Sequence, residues 1–221
     1  MVVTLDTELD RMDESRYRKK HSKQWQQIVK HTHFAYEELE QIMLIFYKMQ
    51  KREIKLLGLQ LISRSNFRDV LYTGLGMTDT YMMERVMVAL DKGTSPYVTM
   101  ATFARAISLY IRGTLEEKIV YAFTCYDLLS EGVLRRSTMF QLLKNSMSNN
   151  SREDDIEAVK ELVDTLLRRM DIDGDSMINF NDYRNSVLKT PTLLECLGFC
   201  LPTRRSVHTF LATWCPVWPK V

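Results

Sequence analysis

Oxygen-bearing residues alternate along the segment 171–182, which reads Asp-Ile-Asp-Gly-Asp-Ser-Met-Ile-Asn-Phe-Asn-Asp. A calcium ion binds about six to eight oxygen atoms, which carboxylates, side-chain amides and backbone carbonyls can supply. Three aspartates at alternate positions can bring their carboxylates to one centre when the backbone between them turns. The segment therefore predicts a binding site for a divalent cation.

The spacing of these residues matches the loop of an EF-hand, whose ligands come from positions 1, 3, 5, 7, 9 and 12. Position 7 ligates through its backbone carbonyl, and position 9 acts directly or through a water molecule. Position 8, Ile178, is expected to join a short backbone pairing between two partnered loops. The predicted metal ligands are, in order of position, Asp171, Asp173, Asp175, Met177, Asn179 and Asp182.

Two residues of this loop depart from the usual pattern. Ser176 stands at position 6, where glycine normally allows the sharp turn, and Asp182 at position 12 is one methylene shorter than glutamate. We therefore expect calcium to bind with a dissociation constant of about 10⁻⁵ M or weaker, with magnesium competing. The alternative is an acidic surface turn that binds no ion.

Three ligand-poor relatives of this loop precede it. The four loops begin at residues 55, 91, 127 and 171, so successive starts lie 36, 36 and 44 residues apart. Residues 127–138 keep two acidic ligands but place Arg135 at position 9, where its charge would repel a cation. Residues 91–102 lack carboxylates at positions 3, 5 and 12, and residues 55–66 have no acidic ligand. We predict that these three loops are degenerate.

Apolar residues at helical spacing flank the loops, as in Leu39, Ile42, Met43 and Phe46. Thr114 and Glu117 form the sequence pattern of a capping box, which predicts a helix start. Four helix–loop–helix units at near-constant spacing predict an all-α fold of two EF-hand lobes with a C-terminal helix. We expect an N-lobe over 34–113, a C-lobe over 114–190, and a C-terminal helix near 191–199 followed by a tail to residue 221.

The first 33 residues are charged and show little apolar periodicity. They include a basic cluster, which predicts a solvated leader in the form of an irregular segment or a frayed helix, with a specific binding arm as the alternative. The tail after Pro202 carries Trp214 and Trp218 without a clear period, and it could dock on the body or on a partner.

Composition excludes several classes of function. The net charge of +2 predicts no strong affinity for nucleic acid, and no apolar run is long enough for a membrane span. Four dispersed cysteines and the lack of a recognisable signal peptide predict free thiols in a reducing compartment such as the cytoplasm. No glycine-rich phosphate loop, nucleophile elbow or spaced His/Cys pairing is present, so we expect no enzyme.

Several short strings resemble the calaxin family, the calcium-binding proteins of outer-arm axonemal dynein. They are Gly76-Met-Thr-Asp79, Leu109-Tyr-Ile-Arg-Gly-Thr-Leu-Glu-Glu-Lys118, Phe140-Gln-Leu-Leu-Lys-Asn145, Thr192-Leu-Leu-Glu195 and Cys200-Leu-Pro202. The resemblance covers roughly residues 34–202. It implies calcium ligands in the loops that begin at Asp91, Asp127 and Asp171, of which only the last keeps them here.

The same resemblance implies a location in the axoneme of cilia or flagella. The implied partners are a dynein heavy chain or a docking-complex protein, with tubulin as a further candidate. Two functions follow. The first is a calcium-responsive adaptor, in which ion binding changes the exposure of a Met-rich groove; the candidate groove or near-loop residues are Met139, Met147, Met170 and Met177. The second is a metal-indifferent structural adaptor. A myristoylated membrane sensor is a remote alternative, because Val2 stands where the acylated glycine would be required.

Overall fold

The computed structural model describes the backbone of residues 10–57, 61–91, 95–147 and 153–214. Over these ranges the chain is built almost wholly from α-helices, which confirms the predicted fold class. The helices are α1 Arg11–Val29, α2 Tyr36–Leu57, α3 Arg64–Thr73, α4 Thr80–Asp91, α5 Met100–Arg112, α6 Leu115–Tyr126, α7 Arg136–Met147, α8 Glu153–Met170, α9 Phe180–Lys189 and α10 Arg204–Trp214. No helix in these ranges combines the length and apolar character needed to cross a bilayer.

Four very short strands join the interhelical loops in pairs. They are β1 Ile62–Ser63, β2 Tyr97–Val98, β3 Val133–Arg135 and β4 Met177–Asn179. Both pairs are antiparallel, with Ile62 opposite Val98 and Leu134 opposite Ile178. These four residues occupy position 8 of their loops, so the predicted pairing of EF-hand loops is confirmed. Residues 58–60 and 92–94 of the first two loops lie outside the described residues.

The chain divides into two compact units that differ from the expected lobes. The first comprises the described residues of Met1–Met77, Leu90–Gly113 and Pro202–Val221; the second comprises those of Thr78–Ala89 and Thr114–Leu201. Most of α4 therefore belongs to the second unit. One reason is Arg85, which donates from Nε to the Cys125 carbonyl at 3.1 Å and from Nη2 to the Asp127 carbonyl at 2.9 Å. These bonds satisfy carbonyls that α6 leaves unpaired at its C-terminus.

The first unit packs its helices around aromatic side chains. Phe103 of α5 meets Phe46 of α2 and Phe67 of α3 edge-on, with ring centroids 5.5 Å apart in each case. Arg112 forms a bidentate pair with the buried Glu38 at 2.7 and 2.6 Å, which ties the end of α5 to the start of α2. This unit contains the first pair of loops.

The expectation of a solvated leader is wrong for residues 11–29, which form helix α1. Its side chains at spacings of four, four and three are buried: Tyr17, His21, Trp25 and Ile28. The Trp25 indole donates to the Met100 sulfur at 3.3 Å, and Tyr17 stacks on Tyr47 of α2 at 4.0 Å. Three of these four residues have polar-tipped side chains, so the stripe does not stand out as apolar among the surrounding charges.

The C-terminal helix predicted near 191–199 is shorter than expected and is not an α-helix. The structure has a short 3-10 helix over Pro191–Glu195, then α10 over Arg204–Trp214, where an irregular tail was expected. Gly198 adopts φ 137°, which a helix cannot accommodate, and Pro202 delays the next helix start. Helix α10 buries Val207, Phe210 and Leu211 on one face. Residues 215–221, including Trp218, lie outside the described residues.

In the second unit, α6 begins with the predicted capping box. The Thr114 hydroxyl accepts from the Glu117 amide at 3.3 Å, and the Glu117 carboxylate accepts from the Thr114 amide at 2.8 Å. The end of this helix and α9 are held by the segment Pro191–Leu201. Tyr126 donates to the Gly198 carbonyl at 2.7 Å, and Tyr183 donates to the Leu194 carbonyl at 2.5 Å. These bonds fix two of the helices that flank the second pair of loops.

Candidate metal centre

The loop of the candidate site connects α8 to α9 and contributes strand β4. The Asp171 amide donates to the Leu167 carbonyl at 2.9 Å, so the loop starts as a continuation of α8. Ile178 and Tyr183 are fully buried and anchor the far side of the loop. The residues from Asp171 to Met177 are exposed or half-buried, which leaves this part of the loop open to ions from solvent.

The structure brings three of the predicted ligands together. Carboxylate oxygens of Asp171, Asp173 and Asp175 all lie within 4.8 Å of one another. Oxygens that share one calcium ion stand about 2.3–2.6 Å from it, so opposite ligands are separated by about 5 Å or less. Three hard, anionic oxygen donors at this separation fit calcium.

Backbone amides hold these carboxylates in place. The two Asp171 oxygens accept from the amides of Gly174 at 2.7 Å and Ser176 at 2.9 Å. Asp175 accepts from the Met177 amide at 2.8 Å. The loop is thus wrapped around its own acidic side chains, and the carboxylates are placed before any cation arrives.

Crowding of negative charge affects Asp173. A hydrogen bond from the Asp175 backbone amide lowers the pKa of Asp173. Partial desolvation and repulsion from the other carboxylates of the loop outweigh that bond and raise the pKa above its usual value. A divalent cation would relieve this repulsion.

Two residues of the loop adopt left-handed backbone angles. Gly174 at position 4 has φ 78°, which glycine adopts freely, whereas Ser176 at position 6 has φ 65°. A side chain in this region costs about 1–2 kcal/mol, because the Cβ atom crowds the backbone. The departure from glycine noted in the sequence therefore produces local strain in the turn.

Asn179 at position 9 is already engaged as the N-cap of α9. Its Oδ1 accepts from the amides of Asn181 at 2.8 Å and Asp182 at 3.1 Å, while its Nδ2 donates to Asp173 at 3.2 Å. Direct ligation through Oδ1 would sacrifice the cap. A bridging water is therefore the simpler way for this residue to contribute.

Asp182 and Met177 lie at the edge of the candidate site. Asp182 is buried, and its Oδ2 accepts from the Asn179 amide at 3.3 Å, which completes a capping box. It is not part of the group of three carboxylates described above. Met177 lies in β4 at position 7, so its backbone carbonyl is the group that could ligate. Sequence spacing identified these residues but not their roles in capping and pairing.

The partner loop 127–138 has a different arrangement of charge. Arg135 Nε donates to Glu131 Oε2 at 2.9 Å, so the residues at positions 9 and 5 form an ion pair within the loop. Leu129 at position 3 is 64% exposed, and Thr138 at position 12 is buried. The sequence indicated that Arg135 would repel a cation, but it did not indicate that Arg135 pairs with Glu131. The spacing of four residues between opposite charges was the available signal.

The candidate residues for a Met-rich groove are buried or half-buried among the described side chains. Met139 and Met170 are fully buried, and Met177 is half-buried. The side chain of Met147 lies outside the described residues. Met139 and Met170 therefore belong to the core of the second unit.

Comparison with known proteins identifies relatives over most of the chain. The chain matches no protein-family profile. It is 36% identical over 179 residues to calaxin of Xenopus laevis, an alignment that covers 80% of this chain and 86% of that protein. It is 36% identical over 184 residues to calaxin of Homo sapiens, covering 81% and 86%. Guanylyl cyclase-activating protein 1 of Lithobates pipiens is 25% identical over 126 residues, covering 57% and 61%. With this level of identity to calaxins along most of its length, the chain belongs to the calaxin family.

Proposed function

We propose that this chain is a calcium-binding adaptor that works in the axoneme of cilia or flagella and catalyses no reaction itself. Its partner is a heavy chain of outer-arm dynein or a docking-complex protein, with tubulin as a further candidate. Membership of the calaxin family supports this assignment. The observation that carries the ion-binding part is the convergence of three carboxylates in one loop.

We further propose one weak site, in the loop Asp171–Asp182. Ser176 strains the turn, and Asp182 reaches less far than the usual glutamate. Both features support a dissociation constant of about 10⁻⁵ M or weaker for calcium. Magnesium competes, because the site offers few protein ligands and so leaves room for the water molecules that magnesium retains.

Removing two of the three carboxylates tests the site. Calcium titrated into the wild-type chain at constant ionic strength is expected to give a saturable calorimetric signal with one ion bound. The double variant Asp171→Ala with Asp175→Ala is expected to lose that signal, because Asp173 alone of the three convergent carboxylates remains, and with Asp182 it supplies too few ligands to replace the hydration shell of the ion.

A matched control separates ligation from net charge. Asp155→Ala with Glu161→Ala removes two exposed carboxylates from α8 and changes the charge equally. We expect it to bind calcium within about twofold of the wild type, because distant exposed charges are screened by salt. No heat of binding up to millimolar calcium in the wild type would refute the ion-binding part of the proposal.

Ion binding is proposed to act on the helices that the loop connects. Asp182 lies in the first turn of α9, so drawing its carboxylate towards an ion would move the start of this helix relative to α8. Sensor EF-hands change their helix angles in this manner. The change would alter the surface that the second unit offers to a partner.

Affinity capture from axonemal extract tests the partner. The immobilised chain is expected to retain a dynein or docking-complex subunit, identified by mass spectrometry, and to retain a different amount when calcium is replaced by chelator. The variant Asp171→Ala with Asp175→Ala should behave as the wild type does in chelator. Retention of no axonemal protein in either condition would contradict the adaptor assignment.

The second candidate function is a metal-indifferent structural adaptor. The ion pair between Arg135 and Glu131 favours it, because this loop occupies two of its ligand positions without a metal. In that case the same axonemal partner would be captured equally with calcium and with chelator. The calorimetric titration then separates the two candidates directly.

A further inference from the structure

The ligand-poor loop 127–138 has the same backbone form as the candidate ion loop. Positions 4 and 6 are left-handed in both loops. Their φ values are 55° at Ser130 and 74° at Gly132 in one loop, and 78° at Gly174 and 65° at Ser176 in the other. A serine at φ 55° is strained, so some other interaction must hold this loop in shape.

Acidic residues at position 1 support both loops in a similar way. Asp127 accepts from the amides of Glu131 at 3.0 Å and Gly132 at 2.8 Å, as Asp171 accepts from two amides of its own loop. The sequence of residues 127–138 has therefore lost ligands without losing the loop conformation.

Arg135 is the arginine of this loop that pairs with an acidic residue of the same loop. It occupies position 9 and pairs at 2.9 Å with Glu131 at position 5, and both positions belong to the ligand set of an EF-hand loop. A guanidinium is permanently charged and offers several N–H donors to a carboxylate. It can therefore neutralise Glu131 without a metal.

The position of Arg135 is unfavourable for the helix that follows. In the other three loops, position 9 caps the next helix through a side-chain oxygen, from Ser63, Thr99 and Asn179. Arginine has no acceptor atom, and a cation at a helix N-terminus opposes the helix dipole. The residue thus gives up capping, which indicates that its contribution lies in the loop.

Strand β3 connects this loop to the candidate ligands. Arg135 pairs with Met177, whose carbonyl is the ligand at position 7, and Val133 pairs with Asn179 at position 9. A rigid β3 therefore fixes the backbone of two ligand residues. We propose that Arg135 is a built-in cation that holds loop 127–138 in the conformation it shares with the candidate ion loop and so positions the ligands of the proposed calcium site. The inference rests on the proposed function and makes Arg135 a positioning residue.

Hydrogen exchange in the calcium-free chain tests the role of Arg135. In Arg135→Gln, amides of β3 and β4 are expected to exchange about two- to fivefold faster than in the wild type, which is the range for a single exposed ion pair. The calcium dissociation constant is expected to rise by a similar factor, because the ligand strand is less well placed.

Arg136→Gln is the matched control. Arg136 is the next residue and pairs with Asp164 of α8, outside the loop. The Arg136→Gln variant should leave the hydrogen exchange of β3 and β4 and the calcium dissociation constant unchanged. Glu131→Gln should reproduce the effect of Arg135→Gln, and the charge reversal Arg135→Glu with Glu131→Arg should restore at least part of the protection. Circular dichroism verifies that each variant retains its helices.

Each result decides the proposal. Unchanged exchange of β3 and β4 in Arg135→Gln, or equal effects of Arg135→Gln and Arg136→Gln, would overturn it. If the wild-type chain bound no calcium, the proposed function would fail. The exchange measurement would still show whether Arg135 orders the paired loops.

Discussion

At the scale of single residues, the candidate site is a loop that holds its carboxylates by its own backbone amides and tolerates strain at one position. Ser176 occupies a backbone region where glycine is usual. Replacing Ser176 by glycine would remove a strain of about 1–2 kcal/mol from the folded state. Glycine also gives the unfolded chain more conformational freedom, which lowers the free energy of unfolding by about 0.5–1 kcal/mol.

We therefore predict that Ser176→Gly raises the free energy of unfolding by about 0.5–1 kcal/mol, measured by urea denaturation in chelator. Ser15→Gly, in the exposed part of α1, should instead lower it by about 0.5 kcal/mol, because glycine is the poorer helix former. A loss of stability in Ser176→Gly would contradict the strain argument.

The convergence of Asp171, Asp173 and Asp175 could be predicted from sequence, because an EF-hand loop places oxygen donors at fixed intervals. Other features depend on geometry that spacing does not contain. The capping role of Asn179 follows from where α9 begins, and the ion pair of Arg135 follows from how loop 127–138 closes. Both residues were visible as position 9 of a loop, but their partners were not.

At the scale of elements, most helices were predictable and the two terminal ones were not. Helices α2, α4, α6 and α8 carry clear apolar periodicity, and α6 also carries its capping box. The buried side chains of helix α1 include a histidine and a tyrosine and are surrounded by many charged residues. They therefore do not form an apolar stripe that is recognisable in the sequence. Among the side chains described for α10, up to residue 212, the buried apolar ones are Val207, Phe210 and Leu211, which is a weak pattern next to a tail with two prolines.

The buried histidine of α1 predicts a pH dependence of stability. His21 packs against Tyr17 with ring centroids 4.5 Å apart, and burial lowers the pKa of His21 below its usual value, as does the nearby Lys20, despite the hydrogen bond to Gln24. The unfolded chain then binds a proton more readily than the folded chain. The contribution of neutral His21 to the free energy of unfolding is therefore complete above the pKa that this histidine has in the unfolded chain. It is lost as the pH falls through the lower pKa that His21 has in the folded chain.

We expect the free energy of unfolding in chelator to decrease between about pH 7.5 and about pH 5.5, on either side of the usual histidine pKa. His21→Gln should make this decrease smaller. His208→Gln, at an exposed position of α10, is the control and should follow the wild type. Identical pH profiles for wild type and His21→Gln would show that α1 is not sensitive to the charge of this ring.

At the scale of the whole molecule, the candidate ion loop belongs to the second of two compact units. A ligand stabilises the structure that it binds by mass action. With a dissociation constant of about 10 µM, 1 mM calcium adds about 2.7 kcal/mol. Because the ligands all lie within Thr114–Leu201, we expect this gain to appear chiefly in that unit.

Hydrogen exchange with and without 1 mM calcium measures the distribution of this gain. We predict slower exchange for peptides from residues 114–147 and 153–201, with smaller changes for residues 10–57. The variant Asp171→Ala with Asp175→Ala should show no difference between the two conditions. Equal protection of both units would contradict a local effect.

The first unit is assembled from three separate stretches of the chain, with parts of the second unit between them. This arrangement limits how the protein can be divided into fragments. Phe210 of α10 is fully buried, and Ser206 lies so close to the turn at Gly76 that a Cβ atom there would stand 2.8 Å from its hydroxyl. A polypeptide ending at Leu201 keeps all four helix–loop–helix units but strips α10 from that turn. Dividing the chain between Gly113 and Thr114, the lobe boundary predicted from the repeats, also separates the first unit from its last helix. Binding regions are therefore better mapped by point substitution in the intact chain than by expressing its halves.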